Sequence, residues 1–160
     1  MVRMNTVSRR SILRLLGSAS VLAAAGACSE ESGPMITVYK DPNCGCCNGW
    51  VKHLAQAGFK TAVRTGANLA AVRKRLGVPD EVASCHTGEI AGYVIEGHVP
   101  AIAIQRLLTE KPTARGLAVA GMPTGSPGME GPDPVTYDVM LFGDFGVRPY
   151  MRFLESNPIS

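Results

Sequence analysis

The sequence predicts an α/β fold, and three observations carry that prediction. Short runs rich in Val, Ile, Thr and Tyr alternate with segments whose apolar residues recur at helical spacing. Gly (18) and Pro (11) punctuate the chain between these runs. The 160 residues, 46% hydrophobic and 18% charged, suit one packed domain and argue against disorder. Strands alternating with helices bury their apolar sides as a sheet covered by helices.

Taken in order, residues 1–27 read as a removable export signal. Ser8-Arg9-Arg10-Ser11 is basic, Leu15 to Ala27 is apolar, and Ala25-Gly26-Ala27 supplies small residues for cleavage. The Arg pair resembles a twin-arginine signal. Ala25-Gly26-Ala27-Cys28 resembles a lipoprotein processing box with Cys28 as the lipidated residue, although Ala25 stands where Leu is preferred. The apolar run is short for a membrane span, which needs about 20 residues. These features predict an exported, cell-envelope protein attached to the membrane by a lipid anchor only, with residues 28–34 as a tether. The signal holds four Arg and no acid. Removing those four of the 16 basic residues leaves 12 against 13 acidic, so the mature chain has no basic footprint for nucleic acid.

Met35 to Tyr39 predicts a strand, ended by Asp41-Pro42-Asn43. Cys46 to Ala57 predicts a helix with Trp50, Val51 and Leu54 on one face and Gly58 as its stop. Phe59 to Arg64 predicts a second strand. Asn68 caps a short helix carrying Leu69, Val72 and Leu76, which Gly77-Val78-Pro79 ends. Gly88 to Val99 predicts two short strands about a turn. Pro100 opens a helix to about Leu108, with Ile104, Leu107 and Leu108 facing inward. Gly116 to Val119 and Tyr137 to Phe142 are further strands. Gly121 to Pro134, with four Gly and four Pro, predicts an irregular loop. Residues 35–145 then form the domain, and 146–160 carry no assignment. The order strand, helix, strand, helix, two strands, helix is also that of the thioredoxin-like fold, an analogy that implies no function by itself.

Cysteines carry the chemistry. Cys44-Gly45-Cys46-Cys47 puts three thiols in four residues at a strand-to-helix turn. A helix N-terminus favours thiolate over thiol. Two chemistries use such a turn: thiol–disulfide exchange through the C-x-x-C pair Cys44 and Cys47, and soft-metal binding. The third thiol favours metal, since it adds a ligand or bridge and gives a redox pair nothing obvious. A structural disulfide is the bland alternative, and a domain of this size has little need of one. A zinc module with four Cys ligands is a further alternative.

Ser84-Cys85-His86-Thr87 precedes the paired strands. In a thioredoxin-like chain that loop lies against the active-site turn, which would make Cys85 a fourth thiolate and offer His86 as a nitrogen ligand. Met122 and Met129 are soft thioethers in the irregular loop, whereas Met35 and Met140 read as packed strand residues. His53 reads as a surface residue and His98 as solvating a turn. Sequence neighbours such as Cys85 and His86 rarely have nucleophile–base geometry, so a hydrolase is a poor reading.

Val38-Tyr39-Lys40-Asp41-Pro42-Asn43-Cys44-Gly45-Cys46-Cys47 with Trp50, Ser84-Cys85-His86-Thr87, Gly92 to Pro100, Gly121 to Glu130 and Tyr137-Asp138-Val139 resemble the CopG-like family of bacterial periplasmic copper-resistance proteins. The match spans nearly all of 35–142. The resemblance implies a thioredoxin-like fold and a Cu(I) site for one ion or several. By motif it assigns Cys44, Cys46, Cys47 and Cys85 as ligands, with His86, Met122 and Met129 as further candidates. Expected partners are copper ions and copper-handling or efflux proteins, and no nucleic acid. A thioredoxin-like thiol–disulfide or copper oxidoreductase using Cys44 and Cys47 is the alternative function.

Overall fold

A computed structural model describes residues 33–160. The expected export signal, Cys28 and the first residues of the expected tether lie outside the described residues. Among the described residues, three helices accompany one mixed sheet of eight strands in the order β2-β1-β3-β4-β5-β6-β7-β8.

β1 (Met35–Lys40) and β2 (Lys60–Thr65) run parallel, which requires the crossover that α1 (Gly45–Gln56) provides. α2 (Leu69–Leu76) begins at Asn68, whose side chain accepts from the Ala71 N–H at 3.1 Å, and ends at Gly77 in the left-handed region. A single 3-10 turn (Asp80–Val82) leads into the antiparallel pair β3 (His86–Ile90) and β4 (Tyr93–Glu96), with β3 against β1. Ala91 and Gly92 join them with φ of 48° and 85°, as a two-residue type I′ hairpin requires. α3 (Ala101–Glu110) returns the chain to β5 (Gly116–Ala118), parallel to β4.

The sheet then continues as a meander of β6 (Thr136–Gly143), β7 (Gly146–Leu154) and β8 (Asn157–Ile159). Residues 146–160, without assignment from sequence, thus form two strands of the same sheet. Their pattern is mostly polar or half-buried, with Phe153 as the one fully buried anchor, so no period-2 signal marks them. Pro149 sits where the β6–β7 register slips between Val139 and Met140, the position at which a sheet tolerates proline.

Alternation along the strands separates two cores. Ile95, Leu117 and Leu141 pack with Trp50 and Leu54 of α1 and Ile104 and Leu107 of α3. Their chain neighbours Val94, Ala118 and Phe142 face the other side with Val78 and Val82. The predicted inward residues Ile104 and Leu107 are fully buried, and Leu108 packs at the edge. Met35 corrects its packed reading: it is the first residue of β1 and is 52% exposed.

Candidate metal centre

The centre grows from the turn after β1. Asp41 organises that turn, its carboxylate accepting from the Asn43 N–H at 2.8 Å and its carbonyl from the Cys44 N–H at 3.2 Å. Cys44 then occupies the N-cap of α1 in extended conformation, with no side-chain cap of its own. Cys46 and Cys47 fall in the first helical turn. Cys44 and Cys47 are joined as a disulfide, with Cα atoms 5.4 Å apart. Cys46 remains a free thiol, its Sγ 3.4 Å from Cys44 Sγ.

Cys85 enters from the loop before β3, its Sγ 3.7 Å from Cys47 Sγ. Since Cys47 carries no S–H in the disulfide, any hydrogen bond between them is donated by Cys85. One ligand atom from each of Cys44, Cys46, Cys47 and Cys85 lies within 4.8 Å of the others. Reduction of the disulfide would therefore gather four thiols around one small volume.

Two imidazoles stand on the far side of Cys85. His86 Nδ1 lies 3.3 Å and His98 Nε2 3.2 Å from its Sγ. Both rings are fully buried. His86 lies against Trp50, ring centres 4.3 Å apart, and its Nε2 has no hydrogen-bond partner. His98 Nδ1 donates to the Pro127 carbonyl at 2.7 Å, which leaves Nε2 as the bare nitrogen aimed at Cys85. Burial pushes the pKa of His86 down to about 3, helped by His98, and burial lowers that of His98 as well. Burial thus favours the neutral form of both rings, the form that binds metal. Burial, with Cys46 nearby, raises the Cys85 thiol to about 11. Cys85 lies on a loop outside α1, rather than at the helix N-terminus that carries Cys44, Cys46 and Cys47.

Glu96 holds the Cys85 segment in place. Its buried carboxylate accepts from the Ser84 N–H and from the Thr87 hydroxyl, each at 2.7 Å, on either side of Cys85-His86. Arg73 donates to the Ser84 carbonyl at 3.0 Å and lies 3.8 Å from the Glu96 carboxylate.

The Gly121 to Pro134 loop seats on both cysteine-bearing segments. At one end the Gly121 carbonyl accepts from the Ser84 hydroxyl at 2.9 Å. At the other, Gly128 with φ of 87° packs so closely on α1 that a Cβ there would stand 2.5 Å from the Cys46 carbonyl oxygen. Gly49 meets the Gly128 Cα in the same way. Met122 and Met129 each follow one of these contact points. Met122 is 52% exposed, and Met129 is half-buried.

Two solved structures share this architecture, both called copper resistance protein CopG. Form 1 is 45% identical over 75% of this chain and 97% of its own, with a TM-score of 0.71. Form 2 is 43% identical over 80% of this chain and 99% of its own, with a TM-score of 0.68.

The chain belongs to the CopG-like family.

Residues 82–129 also match a family described as proteins of unknown function, DUF411. No curated protein matches. In this CopG-like chain Cys44, Cys46, Cys47 and Cys85 lie together, and His86 lies in a second group with Cys85 and His98. Met122 and Met129 are brought to the neighbourhood through backbone contacts of the residues beside them. His98 and Glu96 escaped the sequence reading. A signal for both was available: a two-residue turn at Ala91-Gly92 sets Thr87 opposite Glu96 and, two positions on, Cys85 opposite His98. His53 is another correction. It is half-buried, and its Nε2 accepts from the Ala101 N–H at 3.0 Å, capping α3 from α1.

Proposed function

We propose that this chain is a copper-binding protein of the cell envelope that takes Cu(I) through clustered thiolates and contributes to copper tolerance. One observation carries the reading: four cysteine sulfurs from two segments converge within 4.8 Å at a helix N-terminus. Thiolates select soft monovalent copper, and bridging sulfurs let several ions share few ligands. The 43–45% identical relatives called copper resistance proteins support copper over zinc. The sheet order β2-β1-β3-β4, with β3 alone reversed, supports a thioredoxin-like core, and α1 opens at the turn where such a fold carries its cysteines. The basic and apolar residues 1–27 support export, with lipid on Cys28. No helix among the described residues is long and apolar enough to cross a membrane. Met122 and Met129 complete the ligand shell as loop thioethers, and handover to a copper-handling or efflux partner follows naturally from a site under a loop.

Anaerobic titration of Cu(I) into the reduced protein against an affinity competitor tests this. More than one copper per chain is expected, with uptake lost in Cys46→Ser and in Cys85→Ser. Uptake no greater than that of a cysteine-free variant would overturn it.

The Cys44–Cys47 disulfide favours a second reading, a thiol–disulfide or copper oxidoreductase. Rapid exchange with a dithiol that persists in Cys46→Ser is the result that would select it.

A further inference from the structure

We propose that Lys40 is the buried counter-charge of the cysteine turn: its ammonium favours the reduced, negatively charged state of the Cys44–Cys47 pair over the closed disulfide. Lys40 is neither a ligand nor an exchanging group, and it acts through the charge it sets beside the sulfurs. The inference rests on the reading that the turn works when reduced, which the copper and the exchange functions share. It adds the residue that sets how readily the turn opens.

Position in the strand supplies the first argument. Ile36, Val38 and Lys40 alternate onto one face of β1, where Ile36 and Val38 are fully buried in the core that holds Trp50 and Leu54 of α1. Period-2 burial asks for a third apolar residue at position 40. A lysine stands there instead, only 3% exposed. A residue that breaks the local rule inside a well-packed element is expected at functional sites.

The second argument is an uncompensated charge. A buried ammonium is costly unless a negative group faces it. Among the described residues the ion pairs are made by Arg73, Arg75, Arg106 and Arg152, and none by Lys40. The neighbouring Asp41 carboxylate accepts from the Asn43 N–H instead. Lys40 Nζ donates to the Asp41 carbonyl at 2.8 Å, a neutral partner for one of its three N–H donors.

The third argument is what lies beside that charge. The carbonyl that holds Lys40 also accepts from the Cys44 N–H at 3.2 Å, so the ammonium and the N-cap of α1 are bound to one atom. Across the β1–β3 register Lys40 stands opposite His86, the chain neighbour of Cys85. The Lys40 charge is felt there: after burial and His98, it too lowers the His86 pKa. Lys40 therefore joins the two cysteine-bearing segments, and the N-terminus of α1 adds positive potential on the same side.

Reduction by a dithiol breaks the Cys44–Cys47 bond, and the dithiol closes to its own disulfide. Two electrons pass to the two sulfurs. One sulfur takes a proton and becomes a thiol. The other, Cys44 at the N-cap, stays as thiolate, and the second proton of the dithiol goes to solvent. The negative charge appears only in the reduced state, so a nearby ammonium stabilises that state and not the disulfide.

The test equilibrates the metal-free protein with mixtures of reduced and oxidised dithiothreitol at neutral pH and reads the reduced fraction by mass after thiol alkylation. Lys40→Met, which keeps the length of the side chain without its charge, should shift the equilibrium toward the protein disulfide by about tenfold or more. Each factor of ten is ~30 mV lower in potential. Lys40→Gln, which keeps an N–H donor for the Asp41 carbonyl, should shift it equally, and Lys40→Arg should stay near the native value. The oxidised Lys40→Met protein should melt no lower than the native chain, and the reduced one should melt lower. If Lys40→Met misfolds, Lys40→Gln against Lys40→Arg still decides. An unchanged potential in the neutral variants, or a shift in Lys40→Met that Lys40→Gln does not share, would overturn the proposal and leave the reduced-turn reading standing. A native disulfide that no dithiothreitol ratio opens would overturn both.

Discussion

Glu96 is a carboxylate with no exposed surface, and its burial raises its pKa despite Arg73 at 3.8 Å. Its value lies in accepting two hydrogen bonds at once across the Cys85 segment. Glu96→Gln retains one acceptor and turns the other into a donor that faces the Ser84 N–H or the Thr87 hydroxyl. A buried group left without its partner costs about 1–3 kcal/mol. The variant should therefore melt at a lower temperature in thermal denaturation, while Thr87→Val, which removes only one partner, should lose less. His53 makes a different single-residue prediction. Burial lowers its pKa, against a weaker opposing pull from Glu130, and its Nε2 caps α3 only when bare. Below the unfolded value of about 6.5, the unfolded chain takes up a proton that the folded chain resists. The stability that neutral His53 supplies is thus intact above that pH and lost as pH falls. His53→Gln keeps an acceptor but does not titrate. Melting temperatures taken between about pH 7 and pH 5 should fall less steeply for it than for the native chain.

At the level of elements, the β3–β4 hairpin sets the metal centre. Its two-residue turn determines which residues stand opposite, and a slip of one position would send His98 and Cys85 to opposite faces. Ala91 is exposed and holds φ at 48°, a conformation that a residue with a Cβ adopts at a cost of about 1 kcal/mol. Ala91→Gly removes that penalty but also loosens the unfolded chain. The expected net result is a melting temperature that rises modestly or holds, and a clear drop would show that the turn conformation is not what limits the hairpin. Gly88, beside the chain's only Trp, is a second constraint on this element: a Cβ there would stand 3.2 Å from Ile36 and 3.4 Å from Trp50.

Across the whole molecule, the sheet does not stop where the cysteine chemistry does. β6 pairs with β5 on one side and β7 on the other, and Phe153 of β7 is fully buried in the main core, stacked with Tyr137 at 5.9 Å. The Tyr137 hydroxyl donates to the Glu155 carbonyl in the β7–β8 turn. Truncation before residue 146 removes this layer and uncovers Val139 and Leu141. The truncated protein should lose its cooperative thermal transition or aggregate, and Phe153→Ala alone should cost about 3–5 kcal/mol in denaturant unfolding. A truncated chain that melts like the full one would show the meander to be dispensable.

Much of this was legible from the residues. Hydrophobic periods of 2 and 3.6, the Asn68 cap, the Gly77 stop and the Pro42-Asn43 turn are local, so they placed the elements from β1 to β6 and put three thiols on a helix-opening turn. The nearness of Cys85 to that turn was readable only by analogy of element order. The roles of His98 and Glu96 were readable only by following the hairpin register out from its turn, and that of His53 not at all, because each acts on a partner 9 to 48 residues away, across a hairpin or between helices. Residue type, spacing and turn chemistry therefore determined by themselves where the strands, helices and reactive thiols lie. Only the tertiary structure decided which thiols meet, which imidazole nitrogen faces them and that the last strands close the core, because those outcomes depend on register and burial between distant segments.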